Sequence, residues 1–88
     1  MQIIFRRSFA KDLKKVRRKA LRQEVQAVIE QIEQSTTLYD LPNVKHLTSE
    51  GPYYHIRIGD YRLGLVVENE TVTIVRFLHR RDIYRYFP

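Results

Sequence analysis

The sequence predicts an α+β fold: a small antiparallel β-sheet with an N-terminal α-helical hairpin packed on one face. Three observations carry that prediction. Apolar residues recur at helical spacing up to Ile32. From Tyr53 onward they alternate with polar residues, the period of a half-buried strand. Two dipeptides, Gly59-Asp60 and Asn69-Glu70, then cut the alternating half into a three-stranded meander.

Taken in order, Gln2–Phe5 (QIIF) reads as a short strand joining the same sheet. Ser8 suits the N-cap of a helix. Phe9, Leu13 and Val16, at i, i+4 and i+7, mark that helix's apolar face. The pattern resets near Lys19-Ala20, and Leu21, Val25, Val28, Ile29 and Ile32 mark a second helix. So short a break makes the pair an αα-hairpin rather than one long helix. Ser35–Val44, with Pro42 inside it, is a connector. In the first meander strand Tyr54, Ile56 and Ile58 alternate with Tyr53, His55 and Arg57. In the second, Tyr61, Leu63, Leu65 and Val67 alternate with Arg62, Gly64, Val66 and Glu68. Val72, Ile74 and Leu78 mark the third, and RRDIYRYFP closes as a short helical turn or an extended end. Eighty-eight residues, 1–88, make one domain with one modest core.

Sixteen Lys and Arg against ten Asp and Glu give a net charge of +6, which favours an anionic partner. There is no cysteine, hence no disulfide framework and no thiolate zinc site. His46, His55 and His79 lack metal-ligand spacing, and no phosphate-binding glycine loop or serine nucleophile elbow is present, so no metal and no cofactor is expected. QIIFRRSF after Met1 is no long apolar run. The expectation is therefore no signal peptide, no membrane partner and a cytoplasmic location. The stretch Arg6–Arg22 sets nine Lys and Arg against Asp12 alone. Lys14, Lys15 and Arg18 could follow a nucleic-acid backbone there, or simply solvate the helix.

Both two-residue turns taken at face value set Arg57 opposite Arg62, Arg62 opposite Phe77, His55 opposite Gly64 and Gly64 opposite Val75. One face then carries Tyr54, Ile56, Ile58, Tyr61, Leu63, Leu65, Val67, Val72, Ile74 and Leu78 and receives the helices. The other carries His55, Arg57, Arg62, Gly64, Phe77 and His79: cationic, partly aromatic, with a glycine that leaves room for an approach. Arg76 falls on the apolar face in this register, with no role there. Two arginines directly opposite repel. A phosphate between Arg57 and Arg62 would turn that repulsion into a clamp, because guanidinium pairs bidentately with phosphate. The plain alternative is neutralisation by Asp60, Glu68 or Asp82. The segment LHRRDIY, Leu78–Tyr84, brings His79, Arg80, Arg81 and Tyr84 toward the rim of the same face. RNA cleavage needs a base for the 2′-OH, an acid for the leaving oxygen and positive charge at the phosphate. Histidine exchanges protons near neutral pH, and tyrosine can stack on a base or, among cations, lose its proton more easily. The alternative is packing, with Tyr84 and Phe87 pinning the tail to the sheet.

The stretch YYHIRIGDYRLGLVVENETVTIVRFLHRRDIYRYF resembles the C-terminal half of toxins of the RelE/ParE superfamily of type II toxin–antitoxin systems. IRIGDYRL and HRRDIY are its specific elements, and the earlier IIFRRSFAKDLKKV and LPNVKHLT extend the resemblance over nearly the whole chain. The RelE-like branch implies a toxin that enters the ribosomal A site and cleaves mRNA by 2′-OH attack, leaving a 2′,3′-cyclic phosphate. By that resemblance Arg62 holds the scissile phosphate, Arg80 stabilises the transition state or protonates the leaving group, and Tyr84 stacks or transfers a proton. Best-known ribosome-dependent members carry a lysine pair before GDYR; here those places hold His55 and Arg57, which leaves the general base open. The resemblance also implies the ribosome and mRNA as partners, a cognate acidic antitoxin, and toxin–antitoxin assembly on operator DNA. Two alternatives stand beside it: a ParE-like toxin that inhibits DNA gyrase without cutting RNA, and a non-catalytic RNA-binding domain.

Overall fold

The computed structural model describes residues 1–47 and 51–88. The elements are β1 (Gln2–Phe5), α1 (Arg7–Lys14), α2 (Lys19–Gln34), a 3₁₀ turn (Leu38–Asp40), β2 (Val44–His46), β3 (Tyr53–Ile58), β4 (Tyr61–Glu68), β5 (Thr71–His79) and α3 (Arg80–Tyr86). The strands form one sheet in the order β1-β5-β4-β3-β2. All neighbours are antiparallel except β1 and β5, which run parallel. The α+β expectation is met, with β2 as an addition that begins at Val44, the last residue of the expected connector.

The helical hairpin forms where the apolar stripe resets. Arg22 reaches back across the break and donates to the carbonyls of Leu13 and Val16, at 2.8 and 3.2 Å, tying the start of α2 to the end of α1. Phe9 of α1 and Leu21, Val25 and Ile32 of α2 pack on Ile56, Ile58, Leu63, Leu65, Val72 and Ile74 of the sheet. No described helix is long and apolar enough to cross a membrane.

Both meander turns hold as two-residue turns. Gly59 takes φ 59°, and Asn69 and Glu70 take 49° and 64°, the left-handed region that matches a tight turn to the strand twist. The first sets Arg57 opposite Arg62 as expected. The second starts the β4–β5 ladder in the expected register, but a bulge then intervenes. Leu65 faces Ile74 whereas Gly64 faces Arg76, so Val75 is the extra residue. Past it, every β5 side chain changes face. Phe77 therefore sits opposite Leu63 in the core, 1% exposed and stacked on Tyr61 at 5.0 Å. His79 pairs with Tyr61, on that same face. Both were expected on the cationic face, and the bulge corrects them. It also moves Arg76 off the apolar face, and Leu78 with it.

The bulge lies where β1 has ended. Phe5 is the last β1 residue paired to β5, and the Arg6 N–H donates to Ile74 O at 2.9 Å. Beyond that point α1 takes over the edge. Ser8 Oγ donates to Val75 O, and Asp12 Oδ2 accepts the Phe77 N–H at 2.9 Å. Ser8 and Asp12 stand one helical turn apart on a single face. Ser8 is thus no N-cap; Arg6 holds that place without a side-chain cap bond. Asp12 also takes Arg76 Nε at 2.8 Å and Nη2 at 3.1 Å. This is the only ion pair among the described residues.

The tail folds as α3 on the face opposite the hairpin. Ile83 and Phe87 are buried there, with the Phe87 ring lying over Gly64 and Tyr53 edge-on to it at 5.9 Å. The room left by Gly64 is filled by the chain's own Phe87, not left open to a ligand.

Candidate active site

Three strands and one helix build a cleft of about 420 Å³ on the α3 face. Asn43, Val44, Lys45, His55, Arg57, Arg62 and Tyr84 line it. Alternation along β3 aims His55 and Arg57 to this side, and the Gly59-Asp60 turn delivers Arg62 beside Arg57. Each guanidinium is oriented by the protein. Arg62 Nη1 donates to Gly59 O at 3.0 Å and to Tyr61 O at 2.9 Å. Arg57 Nη2 donates to Asn43 Oδ1 at 3.4 Å. Neither arginine is in an ion pair among the described residues, so Asp60, Glu68 and Asp82 do not neutralise them.

His55 lies at the floor of the cleft, 3% exposed. Burial first, then Arg62, then Lys45, hold its pKa below the ordinary 6.5. The imidazole is therefore neutral at pH 7, in the form that accepts a proton. Its Nδ1 is enclosed, with no hydrogen-bond partner among the described residues. Tyr84 overhangs it from α3, ring centroids 5.9 Å apart, while itself 64% exposed.

The structure thus brings together His55, Arg57, Arg62 and Tyr84. His79 is spent elsewhere: its Nδ1 accepts the Arg81 N–H at 3.1 Å, capping α3, and its ring stands edge-on to Tyr61. Phe77 is buried on the far face. Arg80 opens α3 with its backbone N–H on Asp60 O at 2.8 Å, and its exposed side chain is not among the lining residues. Arg81 is likewise exposed on α3. Lys14, Lys15 and Arg18 are exposed at the end of α1 and in the turn after it, on a helix that borders β5 rather than the cleft.

Asn43, Val44 and Lys45 are the lining residues that sequence reasoning missed. They belong to β2 and the residue before it, whose register with β3 sets Lys45 opposite His55 and Val44 opposite Ile56. Asn43 adopts φ 63°, a conformation asparagine tolerates. Its carbonyl accepts the Arg57 N–H at 3.1 Å, so one residue orients both ends of Arg57. The available signal was Val44 directly after the turn-forming Pro42-Asn43 pair. Thr48, the end of the LPNVKHLT match, lies outside the described residues.

Comparison with known proteins agrees with this architecture. A family model described as the ParE toxin of the type II toxin–antitoxin system, parDE, matches residues 3–84. Toxin RelE3 of Methanocaldococcus jannaschii is 39% identical over 89 residues, spanning all of both chains. The crystal structure of a RelB–RelE antitoxin–toxin complex from Methanococcus jannaschii superposes with a TM-score of 0.81 at 36% identity, covering 97% of this chain and 99% of that one. An archaeal RelE–RelB complex from Pyrococcus horikoshii gives a TM-score of 0.74 at 20% identity, over 90% and 93%, a likeness of fold. With a family match across nearly its whole length and a full-length relative of this identity, the chain belongs to the RelE/ParE superfamily of type II toxin–antitoxin toxins.

Proposed function

We propose that this toxin is of the RelE-like branch and cleaves mRNA in the ribosomal A site, and that an acidic antitoxin neutralises it. One observation carries the reading. Arg57 and Arg62 face each other without a carboxylate partner among the described residues, in a cleft that also presents a neutral histidine and an exposed tyrosine. A pair of like charges held together costs stability and becomes favourable when a phosphate bridges it.

In the reaction, the 2′-oxygen attacks the adjacent phosphorus and the bond from phosphorus to the 5′-oxygen breaks. The products are a 2′,3′-cyclic phosphate and a 5′-hydroxyl. Arg57 and Arg62 hold the phosphate and stabilise the charge of its crowded transition state. His55 accepts the 2′-OH proton. Tyr84 stacks on a flanking base and donates a proton to the leaving oxygen. Arg80, outside the lining, supplies charge at the rim. The antitoxin reading rests on the +6 charge and on relatives whose structures are RelB–RelE complexes.

The test maps cleavage of an mRNA under translation in a purified system, with and without ribosomes, for wild type and Arg62→Ala. A-site cuts that vanish in Arg62→Ala support the reading. The matching family model bears the ParE name, so gyrase inhibition is the second reading. Intact mRNA from a protein that still arrests growth favours it.

A further inference from the structure

Three cations line the cleft, and they are not equivalent. Arg57 and Arg62 form one row across β3 and β4, each steadied by oxygens of the protein. Lys45 stands in the next row on the same face, across from His55 on the edge strand β2. No carboxylate pairs with it among the described residues, and it is exposed. It lines the cleft together with His55, and its charge is one of the causes that lower the His55 pKa. Rows two residues apart along a strand are separated by about 6.6 Å. Lys45 is also offset from Arg57 by one strand, about 4.8 Å, so the two backbones stand about 8 Å apart there. The flexible lysine stem brings that gap within the stride between successive phosphates of an extended RNA strand. Tyr84, from α3, lines the same cleft with its ring 5.9 Å from that of His55.

We infer that Lys45 forms a second phosphate subsite, one nucleotide from the Arg57–Arg62 clamp, so that the cleft grips two successive phosphates of one RNA strand. The inference rests on the RNA-cleavage reading and extends it to a residue outside the motifs GDYR and HRRDIY. In this arrangement the ribose of the intervening nucleotide lies over His55, with its base against Tyr84. The backbone is held on both sides of the reacting 2′-OH, which fixes its line of attack.

The experiment is a substitution–modification cycle on programmed ribosomes. The mRNA carries a neutral methylphosphonate in place of the phosphate on one or the other side of the scissile one. Wild type, Lys45→Met and Lys45→Arg are compared for KM and kcat. Lys45→Met should raise KM about tenfold, the worth of one charged hydrogen bond, with kcat nearly unchanged and activity kept by Lys45→Arg. One of the two methylphosphonates should cost wild type a similar factor and cost Lys45→Met nothing more. If losses from the variant and from either modification simply multiply, Lys45 touches neither phosphate and the inference is overturned. It is equally overturned if Lys45→Met leaves KM unchanged and alters only kcat and the acid limb of the pH profile, because the lysine then acts through His55 alone. Wild type that leaves unmodified mRNA intact overturns the cleavage reading itself. Lys45 is exposed on an edge strand, and a circular dichroism melt of Lys45→Met checks that its fold is kept.

Discussion

Replacing Asp12 with alanine should cost about 3 kcal/mol of stability, from two separable sources. Asp12 Oδ2 accepts the Phe77 N–H at 2.9 Å, on the side of β5 that β1 no longer covers. Alanine leaves that buried donor unpaired, which costs about 1–3 kcal/mol. Asp12 also holds Arg76 through two bonds at 2.8 and 3.1 Å. The Asp12 side chain is 4% exposed but that of Arg76 is 26%, so water takes over part of the arginine's pairing. That discounts the loss of the pair to about 1 kcal/mol, well below the figure for a fully buried one. For a chain of this size the sum lowers the melting temperature by about 12–24 °C. Urea unfolding followed by circular dichroism measures it, and hydrogen exchange reads the Phe77 amide directly. Asp12→Asn keeps one acceptor and should lose about half as much. A loss below about 1 kcal/mol in Asp12→Ala would refute the claim that α1 seals the β5 edge.

Three further outcomes are expected. Gly64→Ala places a Cβ 2.9–3.1 Å from three Phe87 ring atoms. The ring must lift and take α3 with it, so the proposed mRNA cleavage should fall by about a hundredfold for a displacement near 1 Å, while the melt shows a cost of about 1–3 kcal/mol; recovery in Gly64→Ala/Phe87→Leu locates the cause. Because the folded pKa of His55 lies below the unfolded value, the unfolded chain binds the proton more tightly. Stability is thus fully present above about pH 6.5 and declines as pH falls from there toward the folded pKa, and urea melts of His55→Gln should lose that part of the decline. Glu70 holds φ 64° at a turn position that suits glycine, so Glu70→Gly should raise stability by about 1 kcal/mol, seen as a melting temperature higher by about 4–8 °C.

The parts of the cleft legible in the sequence are those governed by two-residue turns. Gly59-Asp60 leaves one register open to β3 and β4, so Arg57, Arg62 and His55 could be placed together from spacing alone. Nothing in TVTIVRFLH announces a bulge, since every residue there suits a strand. Its one trace was Arg76, stranded on the apolar face of the unbulged register. Phe77 and His79 were misplaced by the same single residue. Lys45 and Asn43 stayed hidden for another reason. VKH is too short to show alternation, and β2 exists only because β3 offers it a ladder. The hairpin was readable because its stripe resets, yet the use of Ser8 and Asp12 on a strand edge depends on contacts 67 and 65 residues away in the chain.

The parallel pairing of β1 with β5 has a consequence for the protein's own synthesis. Residues 2–5 find their strand partner only at residues 71–74. With translation at about 5–20 residues per second, the first strand waits several seconds before it can dock. Neither the cleft's ceiling nor its overhanging tyrosine exists before α3 follows β5. On the cleavage reading proposed above, a partly made chain has no complete cleft to act with, and an antitoxin present at the site of synthesis would meet the toxin as the cleft first closes. The order of the strands sets an interval between the making of β1 and the completion of the cleft.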